Sequence, residues 1–339
     1  MDQTNHSVIV DERVVVKWLT PPAPLPHPTP DILAHLVEAG FNDTAPPYAA
    51  LTGVVDGREH LLALVTGYLP DARDGWEWCV DEAVAGTTAF AAAVGRLTAD
   101  LHLALSTLPH SPATAPAEGT ATGLPAPLGA RLAERAEAAL SEALAVTDGE
   151  DGIWLAERAE VMRQELDALT APVTTPLIRI HGDLHVGQIL QWRDGYAVID
   201  FDGNPTVSDA DPRQPAARDV AQLTTSLEHV AQVAIKRRGT PPDQAAAWAR
   251  RARAELLAAY RDRLAARHRP DLLDEGLIRP FEVEQECREL IYAARHLPRW
   301  RYAPMGVLHT WYDARKTSAA TPAATSVPNP ARKPEENIA

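Results

Sequence analysis

The chain has 339 residues, enough to bury a large core and to divide into more than one lobe. With 46 acidic against 32 basic residues its formal charge is -14, which argues against a protein that grips a nucleic-acid backbone, a task that falls to Lys and Arg. Its two cysteines, Cys79 and Cys287, lie far apart and outside any Cys/His metal spacing, which excludes a disulfide framework and a structural zinc.

At the N-terminus no basic segment precedes an apolar one, and no apolar run approaches the roughly 20 residues that cross a bilayer. A cytoplasmic protein with no membrane partner is expected. Ser7–Val10 and Val14–Leu19 are β-rich runs on either side of Asp11-Glu12-Arg13 and predict a hairpin. A proline-rich stretch over 20–30 leads into a helix over 31–40, with Gly40 as its C-cap. Strands over 48–55 and 59–69 flank Val55-Asp56-Gly57, whose Asp-Gly pair is a hairpin turn. The first third therefore predicts a small, mostly antiparallel sheet carrying one helix.

From 87 to 108, Phe90, Val94, Leu97, Leu101 and Leu105 recur at three- and four-residue spacings, which makes a helix. Residues 109–127, rich in Pro, Ala, Thr and Ser, read as an exposed linker. Helices follow over 127–147 and 152–170, then strand-like segments over 177–180, 188–192 and 196–201. Helices over 215–238, 241–266 and 279–297 complete the pattern, and the composition from 316 onward predicts a disordered tail. The expected fold is α+β and bilobal, with a β-rich lobe over 1–86, a helical lobe over 87–315 and the tail over 316–339.

The densest chemistry lies in Ile180-His181-Gly182-Asp183-Leu184-His185-Val186-Gly187-Gln188, followed by Val198-Ile199-Asp200-Phe201-Asp202-Gly203. An acid, an amide and a further pair of acids sit on two short turns between apolar runs. Phosphoryl transfer asks for that arrangement: one carboxylate orients an acceptor hydroxyl, and others hold the Mg²⁺ that bridges nucleotide phosphates. Asp183, preceded by Gly182, is assigned as the group that takes the hydroxyl proton. Gln188 and Asp200 offer the hard oxygens that Mg²⁺ prefers, and Asp202 a further position for a second ion or a bound water. His181 and His185 flank the base and are expected to hydrogen-bond the backbone of the turn, with His181 also counted on the substrate side. Lys17 ends an apolar strand and is expected to meet the nucleotide phosphates. Since the turn at 11–13 has no glycine, phosphate cover is assigned to Asn5 and Ser7. Asp219, at the start of a helix, is expected to hydrogen-bond the backbone of the catalytic turn.

Glu282, Glu286 and Glu289 fall on one helical face, where like charges repel unless a cation sits opposite. A cationic substrate answers that requirement, as do solvent or a nearby Arg. Glu284 and Arg288 form an ordinary i,i+4 pair on another face. Tyr292, Trp300 and Tyr302 follow, as aromatic faces for a sugar ring or as core.

The motif His181-Gly182-Asp183-Leu184-His185-Val186-Gly187-Gln188, with Ile199-Asp200-Phe201-Asp202-Gly203, resembles the aminoglycoside-phosphotransferase-like kinases. It looks closest to their maltokinase-like branch, where Gln replaces the more usual metal-binding Asn. Val14-Val15-Val16-Lys17, Asp74-Gly75-Trp76-Glu77, Leu101-His102 and Arg218-Asp219-Val220-Ala221 support the resemblance, which runs from about residue 5 to 305. It implies ATP and Mg²⁺ as cofactors, Asp183 as base, Gln188 and Asp200 as metal ligands, and Lys17 as a phosphate contact. The adenine hinge would lie near Val65-Thr66-Gly67-Tyr68-Leu69, with Thr66 and Tyr68 as nucleotide contacts.

The resemblance has two departures. The N-terminal cap is shorter than that of a typical maltokinase, and Leu33 stands where the family places a Glu to pair with the lysine, leaving Asp31 or His35 for that role. The run from Gln285 to Trp300 is more similar to the glucosamine kinases of this branch. That likeness implies an amino-sugar substrate phosphorylated at its 6-hydroxyl, with Glu286, Glu289, Tyr292 and Trp300 on the substrate side, and a monomer or homodimer. The alternatives are a maltokinase, an aminoglycoside phosphotransferase and an inactive nucleotide-binding pseudokinase.

Overall fold

The computed structural model describes residues 6–109, 128–203 and 213–319, with 314–319 in backbone alone. Most of the linker expected over 109–127, Asn5 and the tail beyond 319 lie outside the described residues.

Strands β1 (His6–Val10), β2 (Val14–Pro24), β3 (Pro47–Val55) and β4 (Arg58–Gly67) form an antiparallel sheet in the order β1-β2-β4-β3. Both expected hairpins are present. The second turns on Asp56 and Gly57 with φ of 51° and 76°, the positive pair that a two-residue connection between twisted strands requires. The register pairs Ser7 with Lys17, Lys17 with Leu64, and Val15 with Thr66. Directly opposed residues share a face, so Ser7, Val15, Lys17, Leu64 and Thr66 all point to one side of the sheet.

Helix α1 (Pro28–Glu38) crosses from the sheet to the helical part. Its Ile32, Leu33 and Leu36 join a single large core, while Leu19, Leu61 and Leu64 make a small cluster under the sheet. Leu33, only 6% exposed, is a packing residue.

The helical part begins before the boundary expected at 86. Helix α2 (Gly75–Ala85), which the sequence analysis did not assign, is capped by Asp74, whose side chain accepts from the Trp76 N–H at 2.8 Å, and it ends on a left-handed Gly86. Trp78 is buried in the large core and donates from Nε1 to the Ile189 carbonyl at 2.9 Å, so α2 belongs with the helices and not with the sheet. Eleven residues opening on a glycine leave little periodicity to read.

Helix α3 (Ala89–Leu105) follows, then α4 (Leu128–Val146). The helix expected over 152–170 is divided into α5 (Gly149–Ala156), α6 (Ala159–Leu166) and a 3-10 turn over 167–170. Short strands β5 (Leu177–Arg179), β6 (Ile189–Trp192) and β7 (Gly195–Val198) carry the motif, and β8 (Arg213–Pro215) pairs antiparallel with β5. Helices α7 (Ala217–Arg238), α8 (Pro242–Ala266) and α9 (Ile278–Arg295) match expectation. A further helix, α10 (Tyr302–Ala319), was not foreseen and extends past the start of the expected tail. Pro304 and Gly306 disguise its first turns: proline is tolerated there, and Gly306 lets the backbone lie against Gln232. No described helix is long and apolar enough to cross a membrane.

Gly75 fixes how α2 meets the motif. A Cβ there would stand 1.6 Å from the Val186 carbonyl oxygen and 2.9 Å from that of Ile189, and neither backbone can yield cheaply. Gly75→Ala is therefore expected to destabilise the chain by about 2–3 kcal/mol, read as a lowered urea midpoint. An unchanged midpoint would show that α2 does not seat on the loop in this way.

Candidate active site

The turn after β5 is organised by α7. The carboxylate of Asp219, fully buried, accepts from the His181 N–H at 2.7 Å and the Gly182 N–H at 2.9 Å. His102 Nε2 lies 3.1 Å from the same carboxylate, and its Nδ1 is 2.7 Å from the Tyr260 hydroxyl. Burial works against the Asp219 charge, but the His102 hydrogen bond, the nearby histidines and the Gly182 N–H hold its pKa below the ordinary carboxylate value. One turn on, Gln222 donates from Nε2 to Asp183 Oδ1 at 2.8 Å, and a turn beyond that Ser226 Oγ accepts from the Val186 N–H at 3.0 Å.

His181 is buried, with both ring nitrogens engaged by the protein. It accepts at Nδ1 from the Asp183 N–H at 3.3 Å, and Nε2 lies 3.0 Å from the Ile199 carbonyl, a pattern that fits the Nε2–H tautomer. The ring thus ties the two acid-bearing turns together, the hydrogen-bonding role expected of it, and leaves neither ring nitrogen free for the substrate side. His185 caps the short 3-10 turn Val186–Gln188 by accepting from the Gly187 N–H, and its Nε2 stands 3.8 Å from Asp183 Oδ2.

The β6–β7 hairpin delivers the second turn. Ile199 N–H donates to the Gln188 carbonyl at 3.0 Å, which sets Gln188 beside the strand that ends in Asp200. Asp200 has φ of 66°, an uncommon conformation for a residue with a side chain and one that clusters at functional turns. Lys17 Nζ lies 2.7 Å from Asp200 Oδ1 and 2.8 Å from Asp202 Oδ2, and Thr29 Oγ1 donates to Asp202 Oδ1 at 2.6 Å. Burial lowers the Lys17 pKa, but the two carboxylates more than offset it; burial likewise opposes the Asp202 charge, and Lys17 and Thr29 still hold its pKa down. Neither proposed substitute for the missing glutamate takes up the lysine: Asp31 is exposed, and His35 is 3.0 Å from both the Ala104 carbonyl and Thr107 Oγ1.

One ammonium held by two carboxylates marks a place where a cation is already favoured. The two carboxylates offer an all-oxygen, doubly charged donor set, which fits a Mg²⁺ that keeps waters and phosphate oxygens in its shell, and Gln188 is the residue on the neighbouring turn that could add an amide oxygen. No cluster of three or more His, Cys, Asp or Glu side chains able to hold a metal occurs among the described residues. On the sheet, Ser7 sits directly across from Lys17, Thr66 lies further along the same face, and the Tyr68 N–H donates to the Arg13 carbonyl at 3.0 Å where the chain leaves β4.

On the other side of Asp183 an aromatic wall leads to the acidic helix. The Trp76 ring is 5.8 Å from His185 and 5.7 Å from Trp300, and Trp300 is 5.5 Å from His229. Trp300 Nε1 donates to Glu289 at 2.8 Å, and His229 Nε2 lies 3.1 Å from Glu286. Glu286, Glu289 and Trp300 are therefore brought together; Tyr292 is 41% exposed, its ring 5.4 Å from that of His296 in a tilted pair. Glu282 leaves the stripe, bound by Arg253 at 2.9 Å and Thr224 at 2.8 Å. Glu284 accepts from Arg288, as expected, and from Arg218 as well. Trp76, Gln222 and His229 were not assigned from the sequence. A signal existed, since Asp219, Gln222, Ser226 and His229 repeat at three- and four-residue steps along one face of α7.

The model of the phosphotransferase enzyme family matches residues 13–203, a span that includes Lys17, Asp183, Gln188, Asp200 and Asp202. The chain belongs to that family. Within it, the chain is 42% identical over 326 residues to a glucosamine kinase of Streptacidiphilus jiangxiensis, covering 90% of this chain and 70% of the relative. It is 36% identical to a glucosamine kinase of Mycolicibacterium smegmatis, covering 92% and 78%. Among solved structures of the family, a glucosamine kinase in complex with glucosamine, ADP and inorganic phosphate superposes with a TM-score of 0.78 at 36% identity, over 93% of this chain and 81% of that one.

The far end of the aromatic wall is strongly charged. Burial opposes a charge on His229, but the Glu286 carboxylate, with Glu289 and Glu228 behind it, raises its pKa to about 9. Glu286 is itself raised to about 7, because burial and the other acids outweigh the pull of His229. A histidine at about 9 when folded and 6.5 when unfolded contributes stability that is complete below pH 6.5 and lost as pH rises through 9. His229→Gln is expected to lower stability measurably at pH 7.5, where both partners are charged, with the deficit shrinking toward pH 10. Urea titrations of both forms at the two pH values check this, and a deficit independent of pH would refute the ion pair.

Proposed function

We propose that the chain is an ATP- and Mg²⁺-dependent kinase that phosphorylates glucosamine at its 6-hydroxyl. The observation that carries the acceptor assignment is Glu286: its Oε1 is buried with no hydrogen-bond partner, in a cluster with Glu289, Glu228 and His229 at the end of the aromatic wall from Asp183. A buried carboxylate oxygen left this way favours a cationic donor, and a protonated sugar amine is one. The relatives and the solved structure bearing glucosamine support the same choice.

In this reading the sugar lies between Asp183 and the acidic helix, with Trp76 and Trp300 against its apolar faces. The 6-hydroxyl oxygen attacks the γ-phosphorus, its proton passes to Asp183, and the bond to the departing ADP oxygen breaks. Lys17 meets the phosphates from the sheet, with Ser7 beside it, and Thr66 and Tyr68 line the adenine side. Gln188, Asp200 and Asp202 would hold Mg²⁺, which supplies neutralisation of phosphate charge when bound. His185 and Asp219 keep the loop in shape, so the protein contributes mainly alignment and electrostatics. The reaction is assigned to the cytoplasm, by a monomer or homodimer.

A neutral disaccharide would leave Glu286 unanswered, which sets the maltokinase reading second. Asp183→Asn is expected to lower kcat by about 10²- to 10⁴-fold while ADP affinity stays within twofold. Glu289→Gln should raise KM for glucosamine severalfold and leave KM for ATP alone. Coupled ADP-release assays with glucosamine, N-acetylglucosamine, glucose and maltose decide the acceptor. Preference for maltose would overturn the assignment, and ATP binding without turnover of any sugar would favour a pseudokinase.

A further inference from the structure

We propose that Gln222 is a positioning residue for phosphoryl transfer, holding the Asp183 carboxylate in its reactive orientation; this rests on the assignment of Asp183 as the base. Three residues of α7 bind the catalytic loop at successive points. Asp219 takes the N–H groups of His181 and Gly182, Gln222 the Asp183 side chain, and Ser226 the Val186 N–H. The outer two fix main chain. Only Gln222 reaches the functional side chain, donating from Nε2 to Oδ1 at 2.8 Å, and it is itself 6% exposed, so its own rotamer is locked by packing.

A side-chain hydrogen bond narrows the χ1 wells open to an aspartate on a turn, and misplacement of a catalytic group by about 1 Å can lower a rate 10²-fold. His185 Nε2 stands 3.8 Å from Asp183 Oδ2, beyond hydrogen-bonding reach. The amide also suits the task electrostatically. It donates a hydrogen bond without a full charge, where Lys or Arg would stabilise the carboxylate and weaken it as a base, and Glu would repel it. Its Nε2-in orientation follows from the chemistry, because an ionised carboxylate only accepts.

The test uses Gln222→Leu and Gln222→Glu in the full chain, alone and in the Asp183→Asn background, with ATP and glucosamine. Gln222→Leu should lower kcat about 10- to 100-fold with KM for ATP within twofold, and should add nothing further to Asp183→Asn. Gln222→Glu, close in shape and adding a like charge, should move the acid limb of the kcat–pH profile up by about one pH unit. A merely structural residue would give additive losses and an unmoved limb, and either result overturns the proposal. So does a Gln222→Leu enzyme with kcat within twofold of the parent. If Gln222→Leu does not fold, the limb measured with Gln222→Glu decides. Full activity in Asp183→Asn would instead refute the base assignment itself.

Discussion

The site depends on one buried charge. Asp219 sits in the first turn of α7, with no exposure, and its two oxygens are met by two backbone N–H groups and by His102. Removing a carboxylate from water is expensive, and this arrangement offsets the cost in three ways: charge-assisted hydrogen bonds, a histidine held by Tyr260, and the positive end of a 22-residue helix. The return is positional. The backbone of His181 and Gly182 is pinned to the helix, and Gly182 can hold its φ of 85° without a side chain in the way. Asp183 is thus delivered from a turn anchored to a helix most of whose residues are buried.

The second turn is tied to the first rather than anchored independently. His181 links Asp183 N–H to the Ile199 carbonyl, and Ile199 N–H returns to the Gln188 carbonyl, so the turns that carry Asp183, Gln188 and Asp200 are bonded to one another. Lys17 and Thr29 then reach the second turn from the sheet and from α1. With Asp200 and Asp202 holding the ammonium, α1 uses Leu33 for core packing, and its contact with the site passes through the Thr29 hydroxyl.

Much of this was legible in the sequence because it is written locally. The two acid turns, both hairpins, Lys17 on a strand and the helices from α7 to α9 each declare themselves within a dozen residues. What was missed depends on tertiary contact. Nothing in 75–85 says that α2 must press a glycine onto the Val186 carbonyl, and Pro304 and Gly306 conceal α10 because their conformational rules read as a break. Helical spacing grouped Glu282 with Glu286 and Glu289, yet Arg253 from α8 captures the first of them. Tyr292 follows the same logic in reverse: it is aromatic and adjacent, but the rotation of α9 turns it to solvent. His229 would have been found had the polar row on α7 been weighed as a face rather than residue by residue.

The acidic end of the site carries a tension that packing alone does not explain. Glu228, Glu286 and Glu289 are gathered about a single histidine, and both Glu228 and Glu286 are pushed up to about 7 by burial and by their neighbours. A core selected only for stability would replace such a group with well-packed apolar residues, which is often neutral or favourable. Retaining it leaves a negative, poorly satisfied cluster at the end of an aromatic wall that begins beside Asp183. That imbalance is what a cationic acceptor would relieve, since it brings the missing charge and the missing donors together. Selectivity then follows from the same term, because a neutral sugar of equal size brings neither and leaves Glu286 as it was.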